Sequence, residues 1–227
     1  MGVRQRRTQI FFPTKSNPNS DLKNRQRTGK NIGSNRILVK ENFYVYLISM
    51  NMTNKIILVN KQDQEIGAEY KLEIHKQGKL HRAFSIFIFN SHGDLLLQKR
   101  ALNKYHSGGL WSNSCCSHPE QNEEIYFSAH KRLKEEMGFD CELSELFSFI
   151  YKSKVGINLI ENEFDHVFVG KFDGKLKINK KEVADTKWVN YDFLKKDIRD
   201  NPQNYAYWFK LCYKKVFKLL KDKNIEL

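Results

Sequence analysis

The sequence lacks any apolar run that approaches the roughly 18 residues of a membrane-spanning helix, and no signal-peptide pattern opens it. It contains only four cysteines in 227 residues. Two of them, Cys115 and Cys116, are neighbours that cannot easily bridge each other, and Cys141 and Cys212 stand alone in apolar-looking segments. These features argue against a helical membrane protein and a disulfide scaffold, so we expect a reducing, cytoplasmic setting and no membrane partner.

Acidic residues are also scarce relative to basic ones. The chain has 39 Lys and Arg against 26 Asp and Glu, a net charge of +13. Residues 1–50 carry ten of the basic residues and two of the acidic ones, a net charge of +8, so the remaining 177 residues hold +5. This Asn/Ser/Arg-rich leader cannot bury enough apolar surface to offset its ordering entropy, and we expect it to be disordered. We therefore divide the chain into a basic leader, 1–50, and a globular domain, 51–227.

Three interpretations of the leader stay open: a solvated tail, a targeting segment, or sequence upstream of a start at Met50 or Met52. Its charge also suggests a nucleic-acid-binding protein, but that hypothesis rests on residues 1–40 alone. Because most of the basicity lies in the leader, we expect no nucleic-acid partner.

From about residue 52 strand and helix signals alternate without an internal repeat. Residues 54–67 predict two short strands, and "HRAFSIFIFNSHGDLLLQKR" predicts a hairpin from its alternating apolar residues. The loop 101–119 is too rich in Gly, Ser and Asn for regular structure, and such a long loop is more often functional than idle. Residues 120–139 predict a helix with Gly138 as its C-cap, and strands and an amphipathic terminal helix follow. The sequence therefore predicts a single mixed α/β domain.

The long loop and its flanks contain the first candidate site residues. A lone histidine is more often an ordinary surface or core residue than a ligand, and the chain has seven. His118 differs because it follows Cys116 by two residues in "NSCCSHPEQNEE", and His75 and His81 flank the start of the predicted hairpin. Spacing alone leaves open whether these imidazoles converge.

The stretch "ENE" adds two carboxylates. In a strand, Glu161 and Glu163 project to one face, where they repel unless a cation or a proton intervenes. They therefore indicate a metal site or a perturbed acid, and the alternative is a solvated strand face that Asp165 would continue. Convergence with the histidines would give three imidazoles and two carboxylates, which suit Zn²⁺ or Mn²⁺ in five or six coordination. That donor set is His75, His81, His118, Glu161 and Glu163.

Basic residues form a second constellation near the hairpin, the loop and the helix. They are Lys71, Arg100, Lys104 and Arg132. Arg132 and Glu136 are four residues apart and share a helix face. A guanidinium that grips phosphate oxygens and a carboxylate that holds Mg²⁺ against them would make a diphosphate site. The alternative is an ordinary exposed ion pair.

Together these segments resemble one known family. Residues 55–220 are similar to type 1 isopentenyl-diphosphate isomerase through "LHRAFSIFIFN", "KRALNKYHSGGLWSNSCCSHP", "RLKEEMGF", "GINLIENE" and "YAYWF", in that order. The resemblance implies a Nudix-type fold of the α/β (α+β) class, a mixed β-sheet sandwiched between helices. Residues 117–139 match the Nudix box incompletely, because Ser117 replaces its opening glycine and Lys131-Arg132 replace its Arg-Glu pair.

The resemblance also implies a reaction, the interconversion of isopentenyl and dimethylallyl diphosphate. Its catalytic residues would be Cys116, Glu163, Tyr151 and Trp208. The substrate diphosphate would bind Lys71, Arg100, Lys104 and Arg132. One Zn²⁺ or Mn²⁺ (or Mg²⁺) would bind His75, His81, His118, Glu161 and Glu163. A second Mg²⁺, held by Glu136, would accompany the diphosphate of a small-molecule substrate, and we expect a monomer or weak dimer.

The alternative is a Nudix hydrolase of a nucleoside or other diphosphate. Such enzymes gather several box carboxylates around Mg²⁺ ions. With Arg132 in place of a glutamate that set is incomplete, which weakens the hydrolase hypothesis.

Overall fold

The computed structural model describes residues 55–223, so the basic leader and its open interpretations lie outside the described residues. The strands are β1 (Lys55–Val59), β2 (Glu65–Tyr70), β3 (His81–Phe89), β4 (Leu95–Arg100), β5 (Trp111–Ser112), β6 (Cys115–Ser117), β7 (Leu143–Lys154), β8 (Ile160–Lys171) and β9 (Val183–Val189). The helices are α1 (Lys71–Gln77), α2 (Ile125–Met137), α3 (Tyr191–Asp200) and α4 (Tyr207–Asp222), with a 3₁₀ turn at Pro202–Asn204. In the described part of the chain, no helix combines the length and the apolar character needed to cross a membrane.

All nine strands belong to one mixed sheet, and β3 lies at its centre. It pairs in parallel with β8 and antiparallel with β6, and β8 continues to the long strand β7. On the other side, β4 pairs with β5 and β9. The parallel register sets His81, the first residue of β3, beside Glu163 of β8. A predicted imidazole and a predicted carboxylate of the site are thus neighbours in the sheet.

Helices cover both faces of the sheet because the central strands are apolar on both sides. Ile86 and Ile88 of β3 join the core under α2, where Leu133 is fully buried. Phe87 and Phe89 point the opposite way and join the core under α3 and α4. The predicted sheet between helices is confirmed, as is the C-cap Gly138, whose φ of 78° is the left-handed conformation that glycine favours.

Two predictions from sequence need correction. The predicted hairpin has its turn, but β3 and β4 pair only at Phe89 and Leu95 and then separate. The sequence predicts no regular structure in the loop 101–119, yet this loop contains β5 and β6. Ser114 explains both findings, since its Oγ accepts from the Ile88 N–H at 2.8 Å and donates to the Leu96 carbonyl at 2.7 Å. A polar residue that reads as loop therefore joins the backbones of the two separating strands.

The predicted helix 120–139 is shorter than expected, because α2 begins at Ile125. Asn122 has a positive φ of 68°, so the chain turns there before the helix starts. The predicted amphipathic terminal helix is confirmed as α4, whose inward face buries Phe209, Cys212 and Val216.

Candidate active site

One pocket gathers residues from across the sequence. It opens between the ends of β3, β6 and β8, the loop before β5, and helices α1, α2 and α4. Of the thirteen residues predicted for the site, eleven line this pocket. The other two, His75 and His81, are fully buried beside it.

The short helix α1 delivers the first histidine. Gly78 ends this helix at a φ of 63°, and a Cβ there would lie 3.0 Å from the Ile160 side chain, so glycine suits both the turn and the close approach. The turn at Gly78 leads directly into β3, and the ring centres of His75 and His81 lie 4.9 Å apart.

Four donors converge in this region: His75, His81, His118 and Glu163 each offer an atom within 4.8 Å of the others'. The Nδ1 atoms of His75 and His81 lie 2.6 and 2.9 Å from the carbonyls of Lys71 and Lys79, so each ring carries its hydrogen there. Their Nε2 atoms are buried and have no hydrogen-bond partner within the described residues. Lone pairs aimed into a cluster with a carboxylate are the arrangement that a divalent metal ion requires, so the residues fit a metal ion.

The electrostatics of the imidazoles agree with this fit. Burial, aided by His81, lowers the pKa of His75 to about 3. Burial likewise holds the pKa of His118 well below its usual value. Both rings are therefore neutral at physiological pH, which is the ligand form of histidine.

Glu161 lies slightly apart from the four donors. It groups with His75 and with His106, a histidine that the sequence argument did not single out. Glu161, Glu163 and Asp165 are 3%, 7% and 1% exposed, so the alternative of a solvated strand face is wrong. Strand alternation instead turns all three carboxyl groups into the protein.

Tyr151 connects the two glutamates. Its hydroxyl lies 2.7 Å from Glu163 Oε2 and 3.1 Å from Glu161 Oε2. Burial, then repulsion from Glu163, raises the pKa of Glu161 to about 8 in the metal-free protein. Burial opposes ionisation of Glu163 too, but the contacts with His118 and His81 outweigh it and hold its pKa well below the usual range. The ionised carboxylate of the pair is therefore Glu163.

The adjacent cysteines face opposite sides of the sheet because they are consecutive residues of β6. Cys115 is buried in the core under α2, while Cys116 lines the pocket. Burial raises the pKa of the Cys116 thiol to about 12, with Arg100 acting in the opposite direction. At neutral pH this group is therefore an un-ionised thiol that can donate a proton.

Trp208 lines the same pocket as this thiol. It is buried, its indole N–H donates to Asn113 Oδ1 at 3.2 Å, and the Arg100 guanidinium lies 5.2 Å from its ring centre. The ring thus has a fixed orientation in the site.

Cationic side chains line the same pocket. Arg132 of α2 contacts Glu136 at 2.6 Å and Glu135 at 2.7 Å, and Lys104 forms an ion pair with Glu182. Because the Glu136 side chain is only 5% exposed and lines the pocket, the alternative of an ordinary exposed ion pair does not hold.

Lys71 completes this cluster. Burial, followed by repulsion from Lys104, Arg132 and Arg100, lowers its pKa to about 8. A crowded cluster of cations is stabilised when a polyanion such as a diphosphate binds among them. Glu182 also belongs to this cluster, and the sequence does not indicate it, since a lone glutamate in a lysine-rich segment carries no spacing signal.

Comparison with known proteins identifies the family. Residues 79–211 match the family model of the NUDIX domain. "Isopentenyl-diphosphate Delta-isomerase 2" of Aromatoleum aromaticum is 52% identical over 165 residues, which cover 73% of this chain and 87% of the relative. "Isopentenyl-diphosphate Delta-isomerase 2" of Photorhabdus laumondii is 54% identical over 70% of this chain and 90% of the relative. The chain belongs to the isopentenyl-diphosphate Delta-isomerase family.

Solved structures support the fold of this isomerase-family chain. The crystal structure of DR0079 from Deinococcus radiodurans has a TM-score of 0.59 and 16% identity, and covers 70% of this chain and 98% of that one. At this identity the likeness shows the fold alone, a Nudix-type α+β sheet. The resemblance drawn from the motifs is thus confirmed, and the hydrolase alternative is not favoured by the relatives' names.

Proposed function

We propose that this chain interconverts isopentenyl and dimethylallyl diphosphate. The observation that carries the proposal is a single pocket lined by two chemically different groups of side chains. One group is the buried thiol of Cys116, the carboxylate of Glu163 and the indole of Trp208, and the other is a cluster of cations. Relatives that are 52% and 54% identical over 165 and 159 aligned residues are named for the same reaction.

The chemistry of the reaction explains why both groups of side chains are needed. The reaction adds a proton to the terminal carbon of an unactivated alkene and removes one from the carbon two positions away, so no proton is gained or lost overall. The intermediate is a tertiary carbocation that water would capture. A site for this reaction needs an acid, a base, an aromatic face near the cation and exclusion of water.

We assign the proton transfers to Cys116 and Glu163. Cys116 is protonated and Glu163 ionised at neutral pH, so one can donate while the other accepts. The buried Tyr151 hydroxyl contacts Glu163 and can hold that carboxylate in place, and Trp208 supplies the aromatic face.

The metal donors are His75, His81, His118 and Glu163, with Glu161 beside them. Three imidazoles and two carboxylates would hold one Zn²⁺ or Mn²⁺ (or Mg²⁺). When bound, the ion supplies a fixed positive charge beside Glu163 that helps set its acidity.

The cluster of cations would bind the diphosphate. Arg132 offers a planar guanidinium for phosphate oxygens, with Lys71, Arg100 and Lys104 around it. Glu136 would take a second Mg²⁺ that accompanies the substrate, because an oxygen ligand near phosphate is what this ion prefers.

The direct test is to incubate the protein with isopentenyl diphosphate and follow the mixture by NMR while measuring released phosphate. Metal content is measured on the same preparation. Formation of dimethylallyl diphosphate without phosphate release supports the proposal. Phosphate release without the allylic product would instead support a hydrolase.

A further inference from the structure

His106 lies in the pocket although neither the motif analysis nor the family resemblance gives it a role. It sits in the loop between β4 and β5 and is 7% exposed. Its Nε2 lies 3.3 Å from Glu161 Oε1. It is not one of the four donors His75, His81, His118 and Glu163, but it groups with Glu161 and His75, so it approaches the cluster from the side of these two residues.

Glu161 needs this neighbour because Tyr151 has a single hydroxyl proton. That hydroxyl lies between two carboxylates and is closer to Glu163, at 2.7 Å against 3.1 Å for Glu161. When the hydroxyl proton points to Glu163, the described residues leave one other side chain in contact with Glu161, that of His106. A carboxylate that binds a metal ion is ionised, and a buried carboxylate without a donor is costly, so this second contact matters to the position of Glu161 when an ion is bound.

The surroundings of His106 favour the required tautomer and fix the ring. Ser107 Oγ lies 3.3 Å from Nδ1 and can donate to it, which leaves the hydrogen on Nε2, facing Glu161. Arg100 donates to the backbone carbonyl of His106 at 3.4 Å, and the ring of Tyr105 lies edge-on at 4.4 Å. The loop therefore holds the imidazole in one orientation.

We propose that His106 is a positioning residue for the metal site: it donates its Nε2–H to Glu161 and holds that carboxylate beside His75. This inference rests on the proposed metal site and extends it. Hydrogen-bonded partners of metal ligands change metal affinity by roughly 10–100-fold, so the effect is measurable without following turnover.

The test compares His106→Phe, which keeps an aromatic ring but no donor, with His106→Gln, whose amide N–H can reach the place of Nε2. His92→Gln, in an exposed turn, is the matched control. The dissociation constant for Zn²⁺ is measured by competition with a chelator, and X-ray absorption counts the imidazoles around the bound ion. Thermal unfolding in excess chelator checks that each variant folds.

We expect His106→Phe to weaken Zn²⁺ binding by about 10–100-fold, and His106→Gln to recover most of the loss. All proteins should keep three imidazoles on the ion. Wild-type affinity in His106→Phe would overturn the inference. So would equal loss in both variants together with one imidazole fewer than in the wild type, since His106 would then be a ligand itself.

If His106→Phe does not fold, His106→Gln alone tests the inference. Near-wild-type Zn²⁺ affinity with three imidazoles on the ion supports a positioning role for His106, and a large loss of affinity overturns it.

The Zn²⁺-binding measurement also separates this inference from the proposed reaction. A wild-type protein that binds Zn²⁺ through three imidazoles but does not isomerise the substrate would remove the proposed reaction and leave the role of His106 standing. A wild-type protein that binds no Zn²⁺ through imidazoles would remove the metal site, and the inference with it.

Discussion

The adjacent cysteines allow a sharp prediction because they differ in little except the side of the sheet they face. Cys116→Ala removes the thiol that lines the pocket, while Cys115→Ala removes a thiol buried under α2. A general acid or base contributes about 10²–10⁴ in rate, so Cys116→Ala should lower kcat by that factor or more. Its metal content and diphosphate affinity should stay close to wild type, because the proposed metal donors and diphosphate-binding cations are other residues.

Cys115→Ala should act through the loss of packing and of the thiol's hydrogen bond with Glu136. Deleting one buried group of this size costs about 1–2 kcal/mol including the cavity. For a domain of this size that lowers Tm by about 2–8 °C. Turnover at 25 °C should stay within a few-fold of wild type. The assays are NMR of the allylic product and thermal unfolding of the same samples. An inactive Cys115→Ala beside an active Cys116→Ala would show that the assignment of the two thiols is wrong.

Three further predictions follow from the site. Tyr151→Phe leaves two buried carboxylates with one donor fewer, a loss of about 1.5–3 kcal/mol, so kcat should fall roughly 10–100-fold with little change in KM; an unchanged kcat would contradict the role of the hydroxyl. His81→Ala or His118→Ala should lower bound metal, measured by atomic emission, and turnover together, and a variant that keeps both is not a ligand variant. A chain beginning at Met52 should match the full chain in steady-state kinetics, since the described residues that line the pocket all follow it, and a large loss would assign a role to the leader.

Thiol reactivity gives a pH prediction. Because burial raises the pKa of Cys116 to about 12, little thiolate exists at pH 7 and alkylation by iodoacetamide should be slow. The rate should rise about tenfold per pH unit over the neutral to alkaline range, and substrate should slow it. Cys141, half-buried and outside the pocket, is the control whose labelling substrate should leave unchanged. A fast, pH-independent reaction at Cys116 would contradict the raised pKa.

Local patterns predicted the elements of the fold but not all of their partners. The period of four residues from Ala129 to Met137 depends only on one helix face meeting the core, so α2 could be predicted. The separation of β3 and β4 depends on hydrogen bonds from Ser114, which lies outside both strands. No periodicity encodes such a contact, so the sequence predicts a hairpin with more strand pairing than the structure has.

The site shows the same division. Glu161 and Glu163 could be predicted as site residues because strand alternation puts the two carboxylates on one face. Their burial rules out the alternative of a solvated strand face. The convergence of His75 with His118 depends on the turn at Gly78 and on the pairing of β6 with β3, and spacing could only suggest it. His106 had no signal beyond its place in a Gly-rich loop, because its role depends on a carboxylate more than fifty residues away.

The central claim is that this pocket transfers protons to and from a carbon skeleton and leaves the diphosphate intact. The most direct measurement is ¹H and ²H NMR of isopentenyl diphosphate incubated with the enzyme in D₂O. The account predicts deuterium in the methyl group that protonation creates, no released phosphate, and neither product nor exchange with Cys116→Ala. Allylic product without deuterium, or released phosphate in its place, would contradict it.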